Sequence, residues 1–128
     1  MSKIFYKGIA VLALLIITSV PVMAQAPEPE VRKVLSVKET FELYAKIYNV
    51  SSEQMYKTAF CESSLNTNAI NSTSREYSVG IAQINLMAHK NITVEQAKDV
   101  DFSVKFMASE FSKGNQKIWS CYRKIYLL

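Results

Sequence analysis

The two cysteines of this sequence constrain its fold more than any other feature. Cys61 and Cys121 are its only cysteines, and a bond between them would close most of a domain into one loop. For a loop of about 60 residues, loop-closure entropy gives roughly 4 kcal/mol of stabilisation, a large share of a small domain's total stability. An oxidising compartment makes this disulfide the expected state, and two separate buried thiols are the alternative.

The first 26 residues have the pattern of a secretory signal peptide. Lys3 and Lys7 supply the positive start, residues 8–20 form an apolar stretch, and Pro21 ends it before small residues that suit cleavage after position 26 or 24. The alternative is an uncleaved anchor, but a spanning helix needs roughly 20 apolar residues and this run is shorter. We therefore expect export to the periplasm, the cell envelope or the extracellular space.

The segment after the signal predicts a short linker and one domain. Residues 27–33 are polar and contain two prolines, which favours a flexible linker, so the domain should occupy residues 34–128. Without the two lysines of the signal, 15 basic side chains become 13 against 11 acidic ones, a net charge of +2. This mild excess suits an anionic cell wall and lacks the dense basic face of a nucleic-acid-binding protein.

Capping patterns and apolar periodicity predict a largely helical domain. Ser36 and Glu39 form a capping box ahead of a helix over residues 37–48. The later predicted helices are a second one after Ser51, a short one capped by Thr93 and Gln96, a longer one ending near Gly114, and a last one carrying Ile118, Trp119 and Tyr122.

The segment between the second and third helices is less regular. Residues 66–74 are rich in Asn, Ser and Thr, which predicts a surface loop. Residues 79–84 are mostly apolar and favour either a short strand or a buried helical turn. The predicted class is mainly α, or α+β with a minor β part.

Glu62 is the strongest candidate for a catalytic acid in this sequence. Ser51 and Gln54 cap the second helix, along which Met55, Ala59 and Glu62 recur on one face. Removing an ionised carboxylate from water costs free energy, so a glutamate on an apolar face favours the protonated form that can donate a proton. The alternative is a structural glutamate that caps a helix end.

The residue patterns of most other active sites are missing from the sequence. It has a single histidine, His89, with no metal-ligand spacing of Cys and His, no nucleotide-binding glycine loop and no serine, histidine and acid grouping. We therefore expect no metal and no cofactor, and a structural role for His89.

Two blocks resemble the lytic transglycosylase and goose-type lysozyme family. The first is Cys61-Glu62-Ser63-Ser64-Leu65-Asn66, and the second, YSVGIAQIN, runs from Tyr77 to Asn85. In that family the first block ends a helix with the catalytic glutamate and a following serine, and the second lines the glycan groove with its glutamine. The resemblance implies a lysozyme-like fold with Glu62 as the catalytic acid and Gln83 in the groove.

A third block, Trp119-Ser120-Cys121-Tyr122-Arg123, resembles exported members in which a late cysteine pairs with the one beside the catalytic glutamate. The resemblance thus implies a bond between Cys61 and Cys121 and places Tyr122 in the groove. The other candidate sugar-binding residues are Ser64, Tyr77 and Asn85, and packing in the core is the alternative for Tyr77.

The implied reaction is cleavage of the MurNAc–GlcNAc β-1,4 bond of peptidoglycan. Members without a second acid close a 1,6-anhydro ring with a hydroxyl of the substrate, whereas hydrolysis by two carboxylates would need a candidate such as Glu76. Because Glu76 stands among polar loop residues, we expect it to be exposed, which favours a lytic transglycosylase over a lysozyme. A non-catalytic glycan-binding or assembly module is the alternative class. The expected enzyme is a monomer that could serve a secretion, conjugation or pilus apparatus.

Overall fold

The computed structural model of this chain describes residues 33–128, so the predicted signal peptide and most of the predicted linker lie outside the described residues. In this part, a small antiparallel sheet accompanies five α-helices. The elements are α1 (Val37–Tyr48), α2 (Ser52–Ser63), β1 (Ile70–Ser72), β2 (Tyr77–Val79), β3 (Ile84–Asn85), α3 (Val94–Lys98), α4 (Val100–Ser112), a 3-10 helix (Gln116–Ile118) and α5 (Ser120–Tyr126). The prediction of a mainly helical domain with a minor β part is confirmed.

Local capping chemistry sets where the helices begin. Ser36 Oγ accepts a hydrogen bond from the Glu39 N–H at 3.3 Å, and the Glu39 carboxylate accepts one from the Ser36 N–H at 2.9 Å. The same reciprocal box forms between Thr93 and Gln96 at the start of α3. These side chains satisfy N–H groups that have no partner within the helix, which is why the predicted starts are confirmed.

Two predictions for the middle of the chain need correction. The predicted loop of residues 66–74 contains β1, which pairs antiparallel with β2 so that Ile70 lies opposite Val79. Residues 79–84 form neither one strand nor a helical turn but the end of β2, a turn over residues 80–83, and the start of β3. Pairing between strands supplies the hydrogen bonds of both segments, and composition alone does not reveal such non-local partners.

The last predicted helix is also interrupted. A 3-10 turn ends at Ile118, Trp119 takes an extended conformation, and α5 begins only at Ser120. The reason is a tertiary contact, because the buried indole N–H of Trp119 donates a hydrogen bond to the carbonyl oxygen of Ala82 at 2.7 Å. Satisfying a buried indole N–H in this way fixes the backbone at the break.

The core lies where α1, α2 and α4 meet the sheet, and its largest fully buried side chains include Phe41, Met55, Ile81, Ile84 and Met107. Cys61 and Cys121 form a disulfide that joins the end of α2 to α5, so the predicted bond is confirmed and separate thiols are excluded. Within residues 33–128 no helix combines the length and the apolar character that a membrane crossing requires.

Replacing Gly80 with alanine should destabilise the domain by about 3 kcal/mol or more, as measured by denaturant unfolding. Gly80 has a φ of +82°, and an added Cβ would lie 1.7 Å from the carbonyl oxygen of Ala97. Gly114 is a matched control, since its φ is +81° with nothing within 4 Å of an added Cβ. Gly114→Ala should therefore lower the free energy of unfolding by only about 1 kcal/mol, the cost of placing an alanine in a left-handed conformation. Equal losses for the two variants would contradict the predicted clash.

Candidate active site

The C-terminal end of α2 presents Glu62 and is fastened to the 80–83 turn. Ser63 Oγ donates a hydrogen bond to the carbonyl oxygen of Ile81 at 2.7 Å. Directly after it, Ser64 and Leu65 both adopt left-handed backbone conformations, with φ of 53° and 60°. Left-handed residues commonly end a helix, and here they turn the chain away from α2 just beyond Glu62.

One oxygen of Glu62 is held by the start of α5. Its Oε1 accepts hydrogen bonds from the Cys121 N–H at 2.8 Å and from Ser120 Oγ at 3.1 Å. Trp119, which precedes the first turn of α5, contributes no side-chain cap. Glu62 therefore caps α5 from the other side of the disulfide. The sequence left open a structural role for Glu62 as a helix cap, and its Oε1 has that role.

The second oxygen of Glu62 remains available for chemistry. Oε2 makes no hydrogen bond to any residue between 33 and 128, and the half-buried Glu62 side chain lines an open cavity of about 450 Å³. This volume lies within the usual range for ligand sites. A carboxyl group that is anchored through one oxygen and open through the other can present a proton in a fixed direction.

Besides the end of α2, four separate segments of the chain line the cavity. They are the turn between β1 and β2, β3 with the residues beside it, α4, and the region around the start of α5. The residues that line the cavity besides Glu62 are Thr73, Arg75, Glu76, Gln83, Ile84, Asn85, Ala88, His89, Phe106, Ile118, Trp119, Ser120 and Arg123. Among the described residues, no group of three or more His, Cys, Asp or Glu side chains is placed to hold a metal ion.

Glu76 directly precedes the second sequence block and lines the same cavity as Glu62. The expectation that it would be exposed is wrong, because Glu76 is half-buried and its Oε1 accepts a 2.6 Å hydrogen bond from the buried Ser78 hydroxyl. Its carbonyl oxygen also accepts from the Thr73 N–H at 2.8 Å, which closes the turn between β1 and β2. No ion pair neutralises Glu76 within residues 33–128. The cavity therefore contains two carboxylates.

Two amide side chains that the sequence suggested also lie in the cavity. Gln83, whose φ is 49°, donates a hydrogen bond from Nε2 to the carbonyl oxygen of Gly80 at 2.9 Å. Asn85 Oδ1 accepts from the Met87 N–H at 3.0 Å. Gln83 Oε1 and Asn85 Nδ2 make no hydrogen bond within the described part of the chain, which leaves one acceptor and one donor for the hydroxyl or acetamido groups of a ligand.

The structure does not bring Ser64, Tyr77 and Tyr122 into this cavity. Ser64 is the exposed C-cap of α2, and Tyr77 lies on β2 two residues before the buried Val79, so it packs against the core. The Tyr122 ring packs between Phe111 and Tyr126, at centroid distances of 5.5 and 5.0 Å. Because α5 begins at Ser120, Tyr122 points away from the face that carries Ser120 and Arg123.

Sequence reasoning missed several residues of the cavity. Trp119 and Ser120 were part of the third block, and Ser120 contacts Glu62 directly. Arg75 adjoins Glu76, but its place in the cavity follows from the turn between β1 and β2. His89 lines the cavity with its ring edge-to-face on Phe106, at a centroid distance of 5.0 Å.

The cavity thus combines two carboxylates, two guanidinium groups, two amides and an indole from distant parts of the sequence. Convergent polar groups beside aromatic side chains are typical of pockets that bind small molecules or segments of larger ligands. Comparisons with protein-family models, with curated proteins and with solved structures found no match for this chain.

Proposed function

We propose that this protein is an exported lytic transglycosylase with a lysozyme-like fold, which cleaves the MurNAc–GlcNAc β-1,4 bond of peptidoglycan with Glu62 as general acid and then general base. The observation that carries the proposal is the two-sided environment of the Glu62 carboxyl group. Oε1 is held by the Cys121 N–H and Ser120 Oγ, whereas Oε2 lies free at a cavity of suitable size. The residues of the second sequence block that were expected in the groove, Gln83 and Asn85, line the same cavity.

The proposed reaction uses the two oxygens of Glu62 differently. In the protonated side chain, Oε1 is the carbonyl oxygen that accepts both hydrogen bonds, and Oε2–H donates its proton to the glycosidic oxygen. The bond between that oxygen and C1 of MurNAc then breaks, with the sugar's N-acetyl group stabilising the positive charge at C1. The Glu62 carboxylate next accepts the proton of the sugar's own 6-hydroxyl, whose oxygen bonds to C1. This closes a 1,6-anhydro ring, consumes no water and restores the protonated acid.

Hydrolysis by a lysozyme-type mechanism is the second candidate, and the position of Glu76 favours it. Glu76 lines the cavity with Glu62, and the buried Ser78 hydroxyl fixes one of its oxygens. A second carboxylate in a glycosidase site can activate water or stabilise positive charge at C1. In that case water would add to C1 and the product would have a reducing end.

Product analysis distinguishes these reactions. The full chain would be purified after export from an expressing cell and incubated with purified peptidoglycan, and the released muropeptides would be analysed by mass spectrometry. Products that end in 1,6-anhydroMurNAc support the transglycosylase. Reducing ends, which are 18 Da heavier because one water is added, support the lysozyme. Binding to peptidoglycan without any release would support the non-catalytic module and contradict both enzymatic proposals.

The substitution Glu76→Gln should reduce the rate of muropeptide release by less than about tenfold if the transglycosylase proposal is correct. Glutamine keeps the size of the side chain and an oxygen that can accept the Ser78 hydrogen bond, but it cannot act as a base. Initial rates with soluble glycan fragments provide the measurement. A loss of about 100-fold or more with an unchanged thermal midpoint would instead place Glu76 in the reaction and favour hydrolysis.

Export and any partner apparatus are part of the same proposal. The disulfide between Cys61 and Cys121 is consistent with an oxidising compartment. Service to a secretion, conjugation or pilus apparatus remains a prediction from the size of the protein and its resemblance to small exported enzymes.

A further inference from the structure

Two arginines share the cavity with the two carboxylates. Arg75 lies on the turn between β1 and β2, next to Glu76, and Arg123 lies on α5, one helical turn beyond Ser120. Neither guanidinium forms an ion pair with any acidic side chain of residues 33–128. The reaction proposed above assigns no role to either arginine.

A backbone carbonyl holds the side chain of Arg123, and a hydrogen bond orders the backbone from which Arg75 extends. Arg123 donates through Nη1 to the carbonyl oxygen of Lys117, a contact that leaves its other guanidinium N–H groups without partners in the described part of the chain. The Arg75 N–H donates to Thr73 Oγ1 at 3.2 Å, which orders the backbone of the turn from which the side chain extends. Both side chains are solvent-accessible, so an incoming ligand can reach them.

The chemistry of an unpaired guanidinium specifies the ligand. A guanidinium presents parallel N–H donors that match the two oxygens of a carboxylate, and it binds such groups more strongly than neutral hydroxyls or amides. A densely charged polyanion is disfavoured here, because Glu62 and Glu76 offset the positive charges of the two arginines in the same cavity. The arrangement instead suits a largely neutral glycan that carries an isolated carboxylate.

We infer that Arg75 and Arg123 form a carboxylate-binding subsite that selects glycan strands whose sugars carry a carboxylate-bearing substituent over neutral N-acetylated glycans. The inference rests on the proposed function and specifies its substrate class. In peptidoglycan the carboxylate can come from the peptide stem or, once the peptide has been removed, from the lactyl group on the sugar. The shared chemistry is a carboxylate on the substituent of the sugar ring, which lies close to the ring in the lactyl group and farther from it in the peptide stem.

The test is a comparison of binding constants in the Glu62→Gln background, in which no turnover disturbs the measurement. Three ligands of equal glycan length would be titrated calorimetrically: a neutral GlcNAc oligosaccharide, a strand with free lactyl carboxylates, and a strand with intact peptide stems. At least one anionic strand should bind about tenfold more tightly than the neutral oligosaccharide. The tighter of the two anionic strands identifies the source of the carboxylate.

Arginine variants then assign the selectivity to named side chains. Adding Arg75→Gln or Arg123→Gln should weaken binding of the anionic strand by about fivefold to tenfold and leave the affinity for the neutral oligosaccharide unchanged. Lys124→Gln is the matched control, because it removes a positive charge from an exposed neighbour of Arg123 that does not line the cavity. This control should retain full selectivity.

Three outcomes would overturn the inference: equal affinities for the neutral and anionic strands, equal weakening of both by the arginine variants, or the same loss of selectivity with Lys124→Gln. The proposed function is tested separately by product release from the wild-type protein. If the protein prefers anionic strands but releases no product, the subsite is supported and the enzymatic proposal is contradicted. A protein that releases product but binds all strands equally would support the enzymatic proposal and contradict the subsite.

Discussion

The variant Glu62→Gln is expected to release muropeptides at least about 100-fold more slowly than the wild type while unfolding at nearly the same temperature. The side-chain oxygen of glutamine can still accept hydrogen bonds from the Cys121 N–H and Ser120 Oγ, so the cap on α5 persists. At the position of Oε2, however, an amide nitrogen replaces the oxygen, and it has no proton of suitable acidity to donate. The two measurements are the initial rate of product release and the midpoint of thermal unfolding.

The companion variant Glu62→Ala separates the capping role from the chemical one. Alanine removes the acceptor, which leaves the Cys121 N–H at the start of α5 without its partner and should cost about 1–2 kcal/mol of stability in addition to the loss of activity. If glutamine and alanine both preserve activity, Glu62 is only a helix cap and the proposed acid is refuted. If glutamine itself destabilises the fold strongly, its loss of activity says nothing about catalysis, and the stability measurement reveals that case.

Removing the disulfide should have the largest effect on stability. For the double variant Cys61→Ser/Cys121→Ser, the loop-closure entropy of a 60-residue separation predicts a loss of about 4 kcal/mol in the free energy of unfolding. In a domain of this size, that loss corresponds to a fall on the order of 20 °C in the thermal midpoint. The measurement is thermal unfolding by circular dichroism.

Reducing agent provides the control for this prediction. Since the sequence contains no third cysteine, a reductant should lower the midpoint of the wild type towards that of the double serine variant and leave the variant itself unchanged. Well below its midpoint the variant should retain most of its activity, because the hydrogen bond from residue 121 to Glu62 comes from the backbone. A midpoint within a few degrees of the wild type would show that the bond contributes little to stability.

The parts of the fold that follow from local chemistry were accessible from the sequence. Ser36 and Thr93 cap their helices through side chains only three residues away, so the pattern that predicts the helix also supplies its stabilising contacts. The disulfide was predictable for a different reason, because the sequence offers only one possible pair. Glu62 could be placed on the apolar face of α2 from its spacing to Met55 and Ala59, whereas its position at the end of that helix was implied by the family resemblance.

The parts that depend on distant partners were not accessible in this way. The strand β1 exists because Ile70 pairs with Val79, and the break before α5 exists because Trp119 bonds to Ala82, 37 residues away in sequence. A shift in where α5 begins also determines which of its side chains face the cavity. This is why Arg123 lies in the cavity and Tyr122, which the third block suggested, packs against Phe111.

The 80–83 turn should restrict motion around Glu62. It bonds to the end of α2 through Ser63 and to the residue before α5 through Trp119, while the disulfide and the Glu62 cap join those two helices directly. Separating these three segments requires several of these links to break together, so we expect their amide hydrogens to exchange only through near-global opening. The turn that carries Arg75 and Glu76 has only its own hairpin contacts and Ser78 to hold it. The acid would therefore keep a fixed position while the part of the rim formed by this turn adjusts to the bound ligand.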